Sequence, residues 1–448
     1  MNMDPADARE LLASIDADRL LLICGAGLSM APPSSTPSAR DLAQSCAQKF
    51  TSATLQQVPL GADTDLESLA DFFLSNPTRR AAFVNKYVDW AQFNGLPNSG
   101  HKAVADLLCC RAVEAVVTTN FDPLLESAAE ALGERDLRPA VDGNGAACHH
   151  QHATLLKVHG CMRRDRDRIL WSRLQIEEEG PLYDAQLRQN ILSSKTWIEA
   201  SLRGHDLVFI GFWTDWSYLN DILERIMQES APGSVFLVDT AEPGELERKA
   251  PRLWALANHV GLRRVPQSGA DFLDELRVLY SRVFCRNLLR ESIPTYRTMG
   301  GATDPPDIDF PADLASDDYY ALRRDLCGTP SDQAVRKKRP EQTTAVAGAA
   351  HLLLRDRAAE LAGPIYRMPD GSLVRVVNGA GQVLSLVRSR FSTSQPQAGV
   401  PEVVICCCEA DGGVPEDVAR GGRPATIVRA GSEASWVTLT EARERKLI

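Results

Sequence analysis

Three apolar runs, each closing on a short polar or glycine-bearing tip, restrict this chain more than any other feature. Leu20-Leu21-Leu22-Ile23-Cys24 leads into Gly25-Ala26-Gly27-Leu28-Ser29. Ala115-Val116-Val117-Thr118 leads into Thr119-Asn120-Phe121-Asp122, and Leu155-Leu156-Lys157-Val158 leads into His159-Gly160. Runs this short, bounded by turn formers and separated by helical periodicity, read as buried strands of a parallel sheet. The tips of such strands share one edge, the edge at which open α/β sheets take ligands.

The pattern continues downstream. Strand 206–210 ends in Gly211-Phe212-Trp213-Thr214-Asp215, strand 234–238 ends in Asp239, and a short strand is expected at 261–265. Helical periodicity appears at 5–17, 123–132, 174–203, 218–228, 246–257 and 271–290. Four further helical patterns, at 39–50, 65–75, 78–93 and 101–113, fall between the first two strands. They read as an inserted layer (about 39–113), with Asp65 and Ser99 as helix caps. Residues 1–290 are therefore expected to form a Rossmann-like, doubly wound α/β domain with a helical insertion. Gly300-Gly301 and Pro305-Pro306 mark 291–316 as a linker. Beyond it, 317–448 read as a smaller α+β domain with helices at 318–326 and 343–361. Its strands are expected at 373–378, 383–388, 402–408 and 425–429, and its role is expected in assembly or regulation.

A net charge of −10 gives the chain no global attraction to nucleic acid or to an anionic membrane, so neither is expected as a partner. The mixed-sign run Arg163 to Arg168 reads as a solvated loop. Eleven scattered cysteines, some adjacent to one another, do not form a secreted disulfide framework, and a reducing cytoplasm fits them best. Cys148-His149-His150-Gln151-His152 has no matching second ligand cluster, so it reads as a polar loop and no metal is expected.

The tips carry the candidate chemistry. Gly25-Ala26-Gly27 suits a backbone that approaches a diphosphate, or a tight strand–helix turn. Asn120 and Asp122 offer a carboxamide and a carboxylate, although Asp122 before Pro123 is also a plain helix cap. His159 supplies the side chain best suited to proton transfer near neutral pH. His101 reads as a capping or packing residue. Trp213 and Trp216 are either core or the wall of a nucleotide pocket.

Together these pieces resemble the sirtuin fold family over about residues 15–285. Gly25-Ala26-Gly27-Leu28-Ser29 is similar to its GAGxS loop. Pro37-Ser38-Ala39-Arg40 stands where the family has Pro-Asp-Phe-Arg, Thr119-Asn120-Phe121-Asp122 stands for Gln-Asn-Ile-Asp, and Val158-His159-Gly160 for the catalytic His-Gly. Deacylases of the family follow that His-Gly with a four-cysteine zinc ribbon, where this chain has only Cys161. The Thr118–Asp122 and Ile210–Asp215 segments resemble instead the bacterial sirtuin-like proteins of anti-phage defence.

That resemblance implies an NAD+ glycohydrolase that yields nicotinamide and ADP-ribose or a cyclic form. It implies NAD+ as substrate, with Asn120, His159 and Asp122 catalytic. Gly25, Ala26, Gly27, Ser29, Arg40, Thr119, Gly211 and Asp239 are implied for the nucleotide. It also implies a homo-oligomer, or a partner such as a HerA-type ATPase or a short Argonaute. The alternatives are an NAD-dependent protein deacylase and a non-catalytic sensor of an ADP-ribose-like nucleotide.

Overall fold

The computed structural model describes residues 3–133, 137–148, 152–201, 203–212, 216–230, 234–259, 262–328, 344–393, 401–409 and 434–448. The chain divides into two compact units, Met1–Leu276 and Arg277–Ile448.

The first unit is built on a six-stranded parallel sheet. Its strands are β1 (Leu20–Cys24), β2 (Ala115–Thr118), β3 (Thr154–Lys157), β4 (Asp206–Ile210), β5 (Val235–Val238) and β6 (Arg263–Val265). Their order is β3-β2-β1-β4-β5-β6. The chain winds outward from β1 in one direction and then restarts at β4 in the other, so a topological switch point lies between β1 and β4. Register aligns the tips: Cys24 is level with Thr118 and with Ile210, and Thr118 is level with Lys157. Leu21, Ile23, Val117, Leu156, Leu207, Phe209 and Leu237 are buried in one cluster with Ile198, Leu219 and Leu223 from the covering helices. Strands buried on both faces explain why the sequence shows unbroken apolar runs rather than alternation.

Between β1 and β2 the chain forms helices Ala39–Ala47, Leu66–Leu74 and Pro77–Ala82, a π-turn at Phe83–Tyr87 and a 3-10 turn at Trp90–Phe93. Their apolar faces form a second core, in which Leu42, Phe73, Phe83 and Tyr87 pack with Trp171. Asp65 caps its helix as expected. Helix Ser99–Cys109 is capped by Asn98 rather than Ser99, because the Asn98 side chain accepts from the His101 amide.

Other boundaries differ for local reasons. Pro251 lacks an amide hydrogen, and the helix expected at 246–257 is two helices, Pro243–Lys249 and Pro251–His259. The helix expected at 174–203 is a 3-10 turn at Arg173–Gln175 and a helix at Ala185–Ser201. Helix Gly269–Glu291 contains the division between the units, and Ile293–Thr298 is helical with Tyr296 fully buried, inside the segment read as a linker.

The second unit holds a mixed sheet of order β11-β10-β9-β8-β7. Its strands are β7 (Glu360–Ala362), β8 (Ile365–Arg367), β9 (Leu373–Val383), β10 (Val403–Glu409) and β11 (Ser435–Thr438). β9, β10 and β11 run parallel, whereas β7 and β8 form an antiparallel hairpin that continues into β9. The expected strand 383–388 is instead helix Leu384–Thr393, which supplies the crossover between parallel β9 and β10. The strand expected at 425–429 lies outside the described residues. Arg375 on β9 makes two 2.6 Å bonds to Asp325 of helix Ser316–Cys327, a bidentate pair buried under the sheet.

Candidate active site

The C-terminal tips of β1, β2 and β3 open onto a cleft of about 240 Å³. Ala26, Ser29, Thr119, Asn120, Asp122 and His159 line it from the sheet side. Leu42, Leu66 and Phe93 close it from the helical insertion, with Thr36 to Ala39 at the entry to that layer. The sequence-derived trio Asn120, Asp122 and His159 therefore shares one cavity with the glycine loop and Ser29.

The glycine loop is shaped by its neighbour strand. A Cβ on Gly25 would sit 2.5 Å from the Gly211 carbonyl oxygen, and one on Gly27 would sit 2.7 Å from Gly211 Cα. Gly211 itself has φ +51°, a left-handed conformation that favours glycine. The Gly25 amide donates to Ile210 O at 3.0 Å and the Gly27 amide to Gly211 O at 3.1 Å. Those two amides are thus engaged by the last residue of β4 and by Gly211 after it. Ala26 is the exposed residue of the loop that faces the cleft.

A hydrogen-bonded cluster backs the cleft. Asn120 Nδ2 donates to Gly25 O and to Ser29 Oγ, both at 3.0 Å. Ser29 Oγ lies 2.9 Å from Asp122 Oδ2 and 3.1 Å from His101 Nε2. Asp122 Oδ1 accepts from the Leu124 amide at 3.1 Å, at the start of helix Leu124–Ala131, whose N-cap position is Pro123 rather than Asp122. Beneath it, fully buried Lys157 donates to Asp122 O at 2.5 Å and to both Glu126 oxygens at 2.9 and 2.8 Å. Burial alone would lower the Lys157 pKa, but Glu126, Cys161 and Asp122 together outweigh it and the net shift is upward.

His159 sits between aromatic side chains. Its Nε2 lies 2.9 Å from Tyr218 OH, and its ring centroid is 4.7 Å from that of Trp216, which also lines the cleft. Burial pushes the His159 pKa down to about 4, so the imidazole is neutral at physiological pH. Alternation along the β3 tip places its neighbours elsewhere: Val158 and Gly160 line a separate hollow of about 290 Å³ with Arg164 and Arg168.

Several expected contributors stand outside this cavity. Arg40 is exposed and does not line it, although its neighbours Ser38 and Ala39 do. Ser38 forms a capping box with Asp41, a local task that serine performs as well as aspartate. Gly211 and Asp239 lie at the ends of β4 and β5 but not in the cavity wall, and Asp239 Oδ1 accepts from the Ala241 amide at 2.7 Å. Trp213, Thr214 and Asp215 lie outside the described residues, as do His149 to Gln151. His152 is buried against Ala153 O and the Arg138 amide. Among the described residues, no group of His, Cys, Asp and Glu could hold a metal ion, and no helix is long and apolar enough to cross a membrane. Sequence reasoning passed over Tyr218 and Lys157, and read His101 only as a capping or packing residue. For His101 a signal existed, since Asn98 three residues ahead marks a helix start whose cap and third residue share one side of the first turn.

Residues 114–261, which span β2 to β5, match the sequence profile of the SIR2-like domain. No curated protein matches the chain. Among solved structures, the chain is similar to a Sir2 homologue in complex with NAD, at 17% identity over 60% of this chain and 93% of that one, with a TM-score of 0.35. It is also similar to Sir2 bound to acetylated peptide, at 14% identity over 62% of this chain and 98% of that one, with a TM-score of 0.35.

Proposed function

We propose that this SIR2-like protein is an NAD+ glycohydrolase. The observation that carries the reading is the convergence of Ser29, Asn120, Asp122 and His159 on one cleft at the C-terminal edge of a doubly wound sheet. A cavity of about 240 Å³ is smaller than typical whole-ligand pockets of roughly 300–1,000 Å³. It suits the nicotinamide riboside end of the dinucleotide, with the diphosphate and adenosine running past Ala26 toward the β4 and β5 tips.

In this reading Asp122 accepts the nicotinamide carboxamide. Both Asn120 Nδ2 hydrogens are committed to Gly25 O and Ser29 Oγ, so Asn120 serves through Oδ1, as acceptor for a ribose hydroxyl or for the attacking water. The neutral His159 imidazole is the general base for that hydroxyl or water. The glycosidic bond is already weakened by its cationic leaving group. What remains for the protein is to orient the sugar, shield an oxocarbenium-like centre and supply the nucleophile. NAD+ depletion in anti-phage defence is the physiological setting proposed, in the cytoplasm. The protein would act there as a homo-oligomer or with a HerA-type ATPase or short Argonaute, and residues 317–448 would serve assembly or control.

The test is incubation of the full-length protein with NAD+, alone and with candidate partners, and chromatographic resolution of the products. His159→Ala should reduce turnover by about 10²–10⁴-fold while leaving the fold intact. Undiminished turnover in that variant removes His159 from the reaction. Stoichiometric release of an acyl group from an acyl-lysine peptide would replace this reading with deacylation.

A further inference from the structure

One hydroxyl in the cleft wall has two acceptors and a single hydrogen. Asn98 Oδ1 accepts the His101 backbone amide at 3.0 Å, and Asn98 Nδ2 donates to Leu28 O and Ala31 O at 2.8 and 3.2 Å. Backbone partners at both ends fix which way the carboxamide faces. His101 Nδ1 lies 2.8 Å from that same Oδ1, an atom that only accepts, so Nδ1 carries the hydrogen. Burial, with Lys157 as a second cause, pushes the His101 pKa down to about 3, and the ring stays neutral. A neutral ring with its hydrogen on Nδ1 turns a lone pair at Nε2 toward Ser29 Oγ, 3.1 Å away.

Ser29 Oγ meets a second acceptor, Asp122 Oδ2, at 2.9 Å, and it already receives a hydrogen from Asn120 Nδ2. Its own hydrogen can satisfy only one of the two acceptors, and the other then faces an oxygen lone pair. Ser29, His101 and Asp122 are all buried, so water does not cheaply relieve this shortage. A hydrogen-bond donor delivered from the cleft to Asp122 would relieve it, because the Ser29 hydroxyl could then turn to His101.

We propose that His101 is a positioning residue: it holds the alternative acceptor for the Ser29 hydroxyl and so frees Asp122 Oδ2 for an N–H donor on the ligand, of the primary carboxamide class. The proposal deepens the NAD+ reading and rests on it. With His101 replaced by a side chain that cannot accept, the Ser29 hydroxyl stays on Asp122 and the ligand must share that oxygen.

The experiment measures dissociation constants for NAD+ and for its acetylpyridine analogue, in which a methyl group replaces the carboxamide NH2, by calorimetry at the start of mixing. Wild type should prefer NAD+. His101→Leu should weaken NAD+ by about tenfold and leave the analogue unchanged. His101→Gln, which restores an acceptor, should recover the preference. Equal losses for both ligands, or no loss, overturn the proposal while NAD+ binding by wild type still stands. Failure of wild type to bind either dinucleotide overturns the NAD+ reading together with the proposal. Nitrogen-15 spectra of wild type, with the His101 resonances identified by the Gln variant, provide a ligand-free check. They should show the neutral Nδ1–H tautomer from pH 6 to 8, and an Nε2–H tautomer or an imidazolium overturns the proposal.

Discussion

Tyr218 OH lies 2.9 Å from His159 Nε2, so the base candidate at the β3 tip is held by the first turn of the helix that follows β4. Burial raises the Tyr218 pKa well above its ordinary value, so the phenol keeps its hydrogen throughout the physiological range. Trp216 flanks the same imidazole, leaving the ring few orientations. Tyr218→Phe keeps the ring and removes the bond. NAD+ turnover should fall by about tenfold, the scale of one lost hydrogen bond, with the melting temperature nearly unchanged. Initial rates and a thermal melt on the same preparation check this.

The pH profile of turnover should be that of a buried base. An ordinary histidine, with a pKa of 6.5, would lose its base form as pH falls through that value. His159 is held to about 4, so kcat/KM of the free enzyme should stay level from pH 8 down to about 5 and decline only below that. A half-maximal rate near 6.5 would assign the step to a different group.

Stability should fall on acidification at a higher pH than ion-paired carboxylates would impose. His101 and His351 are pushed down to about 3 by burial, and His159 to about 4. Each folded value lies below the unfolded one, so between them the unfolded chain binds more protons and stability rises with pH. The contribution is complete above about 6.5 and is lost as pH falls toward 3–4. Calorimetric melts at pH 7.5, 6 and 5 should show a falling melting temperature, with a shallower slope in His101→Gln.

Breaking the buried ion pair under the Asp122 turn should be costly. Lys157 is 1% exposed and Glu126 5% exposed at the side chain, and removal of one partner strands the other charge. Lys157→Met should destabilise the protein by about 3–5 kcal/mol, and addition of Glu126→Leu should recover much of that. Denaturant unfolding of the single and double variants measures both.

Gly27→Ala tests the contact between the β1 loop and the β4 tip. The added methyl would stand 2.7 Å from Gly211 Cα, with backbone on the opposing side and no flexible side chain to yield. A loss of about 1–3 kcal/mol is expected, read as a lowered denaturation midpoint.

The sheet was legible because its strands are buried on both faces and therefore appear as apolar runs that no amphipathic helix would show. The tips were legible because Asn120, Asp122 and His159 follow those runs directly. What escaped was whatever depends on packing between distant segments. Nothing around Tyr218 shows that it faces His159, and Lys157 looks like a break in an apolar strand until Glu126 is seen beneath it. Gly25 and Gly27 read as a ligand loop because glycine permits close approach, but only the fold shows that the approaching backbone is that of Gly211. The helix at 384–393 was missed because short apolar segments fit either period.

The junction of Gly25 and Gly27 with Gly211 also bears on when the cleft can first form during synthesis. The turn after β1 takes its shape from amide bonds to carbonyls at residues 210 and 211, which leave the ribosome long after the turn itself. A nascent chain lacking β4 has no partner for those amides, even though it already contains Ser29, Asn120, Asp122 and His159. The cleft is therefore assembled late, and fragments released before that point should lack it.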